Sequence, residues 1–153
     1  MLVLIISVVI ACLDQGLKWL VVDNIAEGSR ISIIDGFCYL THIYNTGAAW
    51  GLFKGALAFF IPVTIVAVVS MIVFMFILKE KKYRFALSLI LGGTIGNFID
   101  RISVSGKGVV DYVELHFGSY VFPVFNLADS CIVVGGVLLV IYILFDDVFK
   151  KGK

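Results

Sequence analysis

ALAFFIPVTIVAVVSMIVFMFIL, residues 56–78, runs for 23 residues without a charge, and only Pro62, Thr64 and Ser70 interrupt its apolar character. A helix rises about 1.5 Å per residue, so roughly 20 apolar residues cross the hydrocarbon core of a bilayer. This stretch is long enough, and it makes the chain a membrane protein. The composition agrees: of 153 residues, 61% are hydrophobic and 15% charged, whereas soluble domains run near half apolar and about a quarter charged. A net charge of +1 supplies no basic field of the kind nucleic-acid binding needs, which sets that class aside.

Three further spans flank the first. Residues 2–22 are apolar apart from Ser7, Asp14, Gln15 and Lys18. After the tight basic connection Lys79-Glu80-Lys81-Lys82-Tyr83-Arg84, residues 85–102 form another, and residues 127–145 a fourth. The pattern predicts an all-α membrane fold, a single domain over 1–153, with longer loops at 23–55 and 103–126. Gly92, Gly93 and Gly96 give the 85–102 span a thin face for close helix packing, a use favoured over a phosphate loop because no strand precedes them.

The 23–55 loop carries its own signals. Arg30 to Ile34 and Phe37 to Tyr44 are rich in β-branched and aromatic residues, and Asp35-Gly36 between them marks a hairpin turn. Regular alternation puts Phe37, Tyr39, Thr41 and Ile43 on one face. The expectation is a small extracytoplasmic β-hairpin or sheet on the outer membrane surface, with Tyr39, Tyr44 and Trp50 at headgroup level. Small residues in Asn45-Thr46-Gly47-Ala48-Ala49 then allow close approach of a backbone or substrate.

Basic residues orient the spans. Lys79, Lys81, Lys82, Arg84, Lys150, Lys151 and Lys153 lie on one side, against Arg30, Lys54 and Lys107 on the other. The excess predicts both termini in the cytoplasm and both long loops outside. Asp100, Arg101, Asp111, Asn126 and Asp129 then converge at the outer surface, and ionisable groups at the ends of apolar spans mark a functional site.

Asp14 and Lys18, four apart on one helix face, read as an internal ion pair. Ser7 with Lys18 fails as a nucleophile pair, since eleven residues of helix separate them by roughly 16 Å. Asn126 can cap the last span, with Asp129 three residues on as the acid of a capping box. Asp111 and Asp129, if they meet, cannot both ionise comfortably; one proton shared between them suits acid and base work on an attacking water. Spacing alone does not bring them together, for they lie eighteen residues apart.

Other readings stand beside this one. Asp111, Glu114 and His116 with Asp129 would make a metal set, without an HExxH pattern. Cys38 and His42 would make a thiol pair, without an orienting group. Three cysteines lack the paired spacing of a disulfide framework. Intramembrane Asp and Arg also serve proton-coupled transporters, although no internal repeat or broken span is evident. Gly106, Gly108 and Gly118 make the loop from Ser103 to Val124 a candidate movable cover for a substrate.

Five patches, in order, resemble the lipoprotein signal peptidases, or signal peptidase II family. They are Asp14-Gln15 with Lys18; Asn45-Thr46-Gly47-Ala48-Ala49-Trp50-Gly51; Gly96-Asn97-Phe98-Ile99-Asp100-Arg101; Val109-Val110-Asp111-Tyr112; and Phe125-Asn126-Leu127-Ala128-Asp129-Ser130. The resemblance covers nearly the whole chain. It implies an aspartic endopeptidase of the bacterial cytoplasmic membrane that removes signal peptides from prolipoproteins, cutting just before a diacylglyceryl-modified cysteine. Asp111 and Asp129 match the catalytic aspartates. Asn45, Asn97, Arg101 and Asn126 match positions that orient the substrate backbone or the aspartates, while Asp14 and Asp100 match structural ones, with Lys18 beside them. The resemblance implies no metal and no organic cofactor, membrane lipids as surroundings, and the cyclic peptide globomycin as an inhibitor in the substrate cleft. Tyr112 departs from the family's more usual phenylalanine and adds a hydroxyl near Asp111.

Overall fold

The computed structural model describes residues 2–47, 57–103 and 107–150. Ala48, Ala49, Trp50, Gly51, Lys54, Ala56, Gly106, Lys151 and Lys153, and the expectations placed on them, lie outside the described residues. The elements run α1 (Leu2–Asn24), β1 (Arg30–Ile34), β2 (Cys38–Asn45), α2 (Leu57–Ile77), α3 (Lys81–Ile102), β3 (Val109–Phe117), β4 (Tyr120–Val121) and α4 (Leu127–Lys150). All four helices are long and apolar enough to cross a membrane. The third begins at Lys81 rather than at Phe85. Its basic first turn can stay helical because long cationic side chains reach water from beyond the apolar segment.

Helix α3 packs against α1, α2 and α4. Lipid tails are as apolar as leucine, so helices in a bilayer gain by close van der Waals contact and internal polar bonds rather than by hiding hydrophobic surface. The distribution of residues follows this rule. Outward faces carry Val66, Phe74 and Phe76 of α2 and Val140 and Leu144 of α4, all exposed. The inward stripe of α1, by contrast, includes buried Ser7, Asp14 and Lys18.

The small-residue face of α3 makes these approaches possible. A Cβ on Gly93 would collide with the Ala128 carbonyl oxygen of α4, and one on Gly96 would lie 2.5 Å from the Asp14 carboxylate of α1. Gly96→Ala is therefore expected to lower stability by about 1–3 kcal/mol, read as a fall in the thermal unfolding midpoint in detergent. An unchanged midpoint would mean that α1 and α3 yield readily where they cross.

Four strands form an antiparallel sheet in the order β1-β2-β3-β4. The Asp35-Gly36 turn closes the first hairpin, with the Phe37 N–H bonded to the Ile34 carbonyl at 3.0 Å and Gly36 at a φ of 74°. Val110 and Tyr112 of β3 pack with Val21 and Ile25, seating the sheet on the C-terminal end of α1.

Two expectations change here. The 103–126 connection is not a loop throughout: Val109–Phe117 is a strand paired with β2, and Val113 exchanges backbone hydrogen bonds with Phe125 at 2.8 and 3.1 Å. Strand bonds on both edges hold most of the stretch read as a movable cover. Second, a bulge between Leu40 and Ile43 breaks the alternation of β2. Tyr39 pairs with Glu114 and Ile43 with Asp111, and residues an odd number apart on β3 face opposite ways. Tyr39 and Ile43 thus lie on opposite faces instead of sharing one, because the extra residue of a bulge reverses the parity beyond it.

Candidate active site

The first turn of α4 builds half of the site. Three helical N–H groups there lack intrahelical partners. Asn126 Oδ1 accepts the Asp129 N–H at 2.9 Å, and Asp129 Oδ2 accepts the Asn126 N–H at 3.1 Å. This is the reciprocal capping box predicted from the sequence. The Leu127 N–H donates to the Tyr112 hydroxyl at 3.1 Å, and the Ala128 N–H to Asp14 Oδ1 at 2.9 Å. Three side chains from three parts of the chain therefore fix the turn that presents Asp129.

Strand β3 supplies the other half. Asp111 is only 2% exposed and pairs with Ile43. Asn45, two residues further along β2, is its diagonal neighbour on that face and donates Nδ2–H to Asp111 Oδ2 at 3.0 Å. Asn126 Nδ2 donates to Asp111 Oδ1 at 2.7 Å. Asn126 thus bonds both acids, with its amide to Asp111 and its oxygen to the backbone of Asp129. Asn97 on α3 adds a bond from Nδ2 to Asp129 Oδ1 at 2.7 Å and accepts from Asn126 at 3.1 Å through Oδ1.

Behind the acids lies a buried ionic cluster. Lys18 Nζ sits 2.7 Å from Asp14 Oδ2 and 2.7 Å from Asp100 Oδ2, and donates to Asn97 Oδ1 at 2.8 Å. Gln15 Nε2 donates to Asp100 Oδ1 at 2.9 Å, and the Val110 N–H to Asp100 Oδ2 at 3.2 Å. The pair expected between Asp14 and Lys18 is thus one arm of a cluster that ties α1, α3, β3 and the start of α4 together.

Asn45, Asn97, Arg101, Asp111 and Asp129 line one cavity of about 250 Å³, walled by Val109, the Phe122–Phe125 segment, Ile132 and Val133. The Arg101 guanidinium donates to the Asn97 carbonyl at 3.3 Å and lies 5.6 Å from the Phe60 ring centroid. Phe122, Phe125, Asp129 and Val133 also border an adjoining, almost wholly apolar groove completed by Leu115, Phe117, Ser130 and Val134. The aromatic wall went unread in the sequence; Phe122-Pro123-Val124-Phe125 is the signal that marked it.

Burial, and then the negative charge of Asp129, pushes the Asp111 carboxyl up to about 7, against the pull of the Asn45 and Asn126 amides and Lys18. Asp129 therefore lies close enough to bear electrically on Asp111.

The rival residue sets come apart. Cys38 pairs with Leu115 on the Asp111 face, whereas His42 is buried on the other side of the bulge, with Nδ1 2.8 Å from the Ile25 carbonyl. Glu114 and His116 contact each other on the face opposite Asp111. Among the described residues, no three His, Cys, Asp or Glu side chains gather so as to hold a metal ion. Ser7 donates to the Ser88 carbonyl at 2.9 Å, within the bundle.

Four helices long and apolar enough to cross a membrane, with one carboxylate from α4 and one from β3 lining a single cavity, define a multi-pass membrane protein. A family profile described as signal peptidase (SPase) II matches residues 6–145. The chain is 45% identical over 151 residues to a lipoprotein signal peptidase of Bacillus pumilus, covering 97% of this chain and 95% of that one. It is 44% identical over 149 residues to one of Listeria monocytogenes, covering 96% of each. A bacterial membrane enzyme solved by the in meso method at 2.3 Å superposes with a TM-score of 0.89 at 34% identity, over 99% of this chain and 92% of the other. The chain belongs to the signal peptidase II family, which is a family of proteases.

Proposed function

We propose that this protein removes the signal peptide from diacylglyceryl-modified bacterial prolipoproteins, cutting just before the lipidated cysteine, with Asp111 and Asp129 as an aspartic catalytic pair. The observation that carries the reading is the coupling of two carboxylates in one cavity, each held by a different set of donors. Two N–H donors and the N-terminal end of α4 face the Asp129 carboxylate, an arrangement that suits negative charge. Asp111, raised to about 7, keeps the proton.

In this scheme Asp129 takes a proton from water as the water oxygen bonds to the scissile carbonyl carbon. Asp111 gives its proton to the carbonyl oxygen, leaving a tetrahedral diol. Collapse returns a hydroxyl proton to Asp111, and the amide nitrogen leaves with the proton held by Asp129. The products are a free carboxyl and a free amine, with one water consumed. Asn45, Asn97, Arg101 and Asn126 orient the acids and the peptide.

The excess of basic residues beside one end of the bundle supports placing both termini in the cytoplasm, with the sheet and cavity at the outer face of the inner membrane. There a lipid-bearing substrate can enter sideways while water enters from outside. Globomycin would compete for the same cavity.

The test is cleavage of a diacylglyceryl-modified prolipoprotein by the purified protein in detergent, with a chelator present throughout. Cleavage is expected to persist and to fall as pH rises through about 7, where Asp111 loses the proton it must donate. Cleavage that stops with the chelator would favour the metal reading. A folded protein that cleaves nothing but carries protons across liposomes would favour transport.

A further inference from the structure

We infer that Arg101 makes an anion subsite within the cavity, which holds the carboxylate left on the severed signal peptide, so that the protein is inhibited by its own product. The inference rests on the reading of the two aspartates as a catalytic pair, because it concerns what their chemistry leaves behind.

Hydrolysis of the peptide bond yields a carboxyl on one fragment and an amine on the other. A terminal carboxyl ionises far below neutral pH and a terminal amine holds a proton there, so the proton of the new carboxyl passes to the freed amine. The carboxylate then stands in a cavity where Asp129 is already negative and Asp111 keeps its proton. Like charges in a poorly hydrated site repel, and a buried carboxylate stays ionised only beside a cation or several donors.

The cavity offers one cation for this. Arg101 is the only basic residue among its described lining residues. Lys18, behind the acids, is already committed: its three donors go to Asp14, Asp100 and Asn97. Arg101 is not. A guanidinium carries five N–H donors in a planar fork. Here two bonds, at 3.3 and 3.5 Å, reach the backbone carbonyls of Asn97 and Gly47, and Nε is buried with no hydrogen-bond partner among the described residues. Among these residues no carboxylate comes within ion-pair distance of the guanidinium, which rests by the Phe60 ring instead. Asp100, on the same helix, is held by Lys18 and Gln15. Asn97 bonds Arg101 through its carbonyl and Asp129 Oδ1 through its amide, which sets cation and acid near one another without pairing them. The spare donors meet their anion only when turnover makes one, and planar carboxylates suit such a fork.

The test uses two synthetic signal peptides that end at the residue before the cysteine, one a free acid and the other a C-terminal amide. Each competes with a diacylglyceryl-modified prolipoprotein for the purified protein in detergent. The free acid is expected to inhibit roughly tenfold to a hundredfold more strongly than the amide. Direct binding to Arg101→Gln, which requires no turnover, should show that preference gone. A carbon-isotope label in the terminal carboxyl should read by NMR as ionised when bound to the wild type at about pH 6, and this decides the matter if Arg101→Gln does not fold. Equal inhibition by both peptides, or none by either, while cleavage proceeds would overturn the inference and leave the aspartate pair standing. A bound carboxyl that keeps its proton would overturn it too, since the aspartates and not the guanidinium would then hold it. So would a preference for the acid that survives in Arg101→Gln. A folded protein that cleaves no prolipoprotein would instead bring down the reading on which the inference rests.

Discussion

Asp111→Asn and Asp129→Asn should each reduce prolipoprotein cleavage by roughly a thousandfold or more, while the protein stays folded. Asparagine matches aspartate in shape but neither gives up nor takes a proton at these pH values. Its amide still offers one acceptor. In Asp111→Asn that oxygen can serve either Asn45 or Asn126, both of which now donate to the carboxylate, but not both at once. In Asp129→Asn the oxygen can keep the bond to Asn97 or the one to the Asn126 N–H, so about 1 kcal/mol of capping is lost. Both variants should retain a cooperative unfolding transition and some globomycin binding. Residues that act as a unit are not additive, so the double variant should be no slower than the slower single one. Full turnover in either single variant would remove the assignment.

Lys18→Met should be the most destabilising change in the bundle, at about 3–5 kcal/mol. Lys18 is only 3% exposed and stands between Asp14 and Asp100, themselves buried. Methionine reproduces the length of the stem but leaves two carboxylates without a cation where solvent cannot replace it. Breaking a buried pair from one side is costly for this reason, whatever the pair contributes as a whole. Asp14→Asn is the milder comparison. Its remaining oxygen can still accept the Ala128 N–H, now bonded at 2.9 Å, so stability should fall less and cleavage should largely persist. Thermal unfolding in detergent separates the two, and a Lys18→Met variant melting with the wild type would show that the cluster is not held as described.

How far the chain could be read in advance depended on the range of the physics involved. Spans follow from the thickness of a bilayer and the rise of a helix, so residues 56–78 announce themselves. The Asp35-Gly36 turn and the Asn126–Asp129 box are local chemistry, and both are where the sequence places them. Strand β3 is harder to read: VVDYVELHF is rich in β-branched and aromatic residues, but its charged residues interrupt the apolar run that marks a strand. The bulge in β2 had no local mark, and it alone decides that Cys38 and His42 point apart. The meeting of Asp111 with Asp129 depends on Val113 pairing with Phe125, a contact that no spacing rule supplies.

The bond from Ala128 to Asp14 joins residues 114 positions apart, and it bears on the order in which the site comes into being. A chain made from its N-terminus presents Asp14 long before Ala128 exists. The turn that carries Asp129 is completed only when the first and last spans meet beside α3. A chain whose last span is made but not yet inserted thus contains both acids without the frame that couples them. Under the proposed function, chemistry is withheld until insertion is finished, so the capacity to cut membrane-embedded peptides arises together with the finished fold.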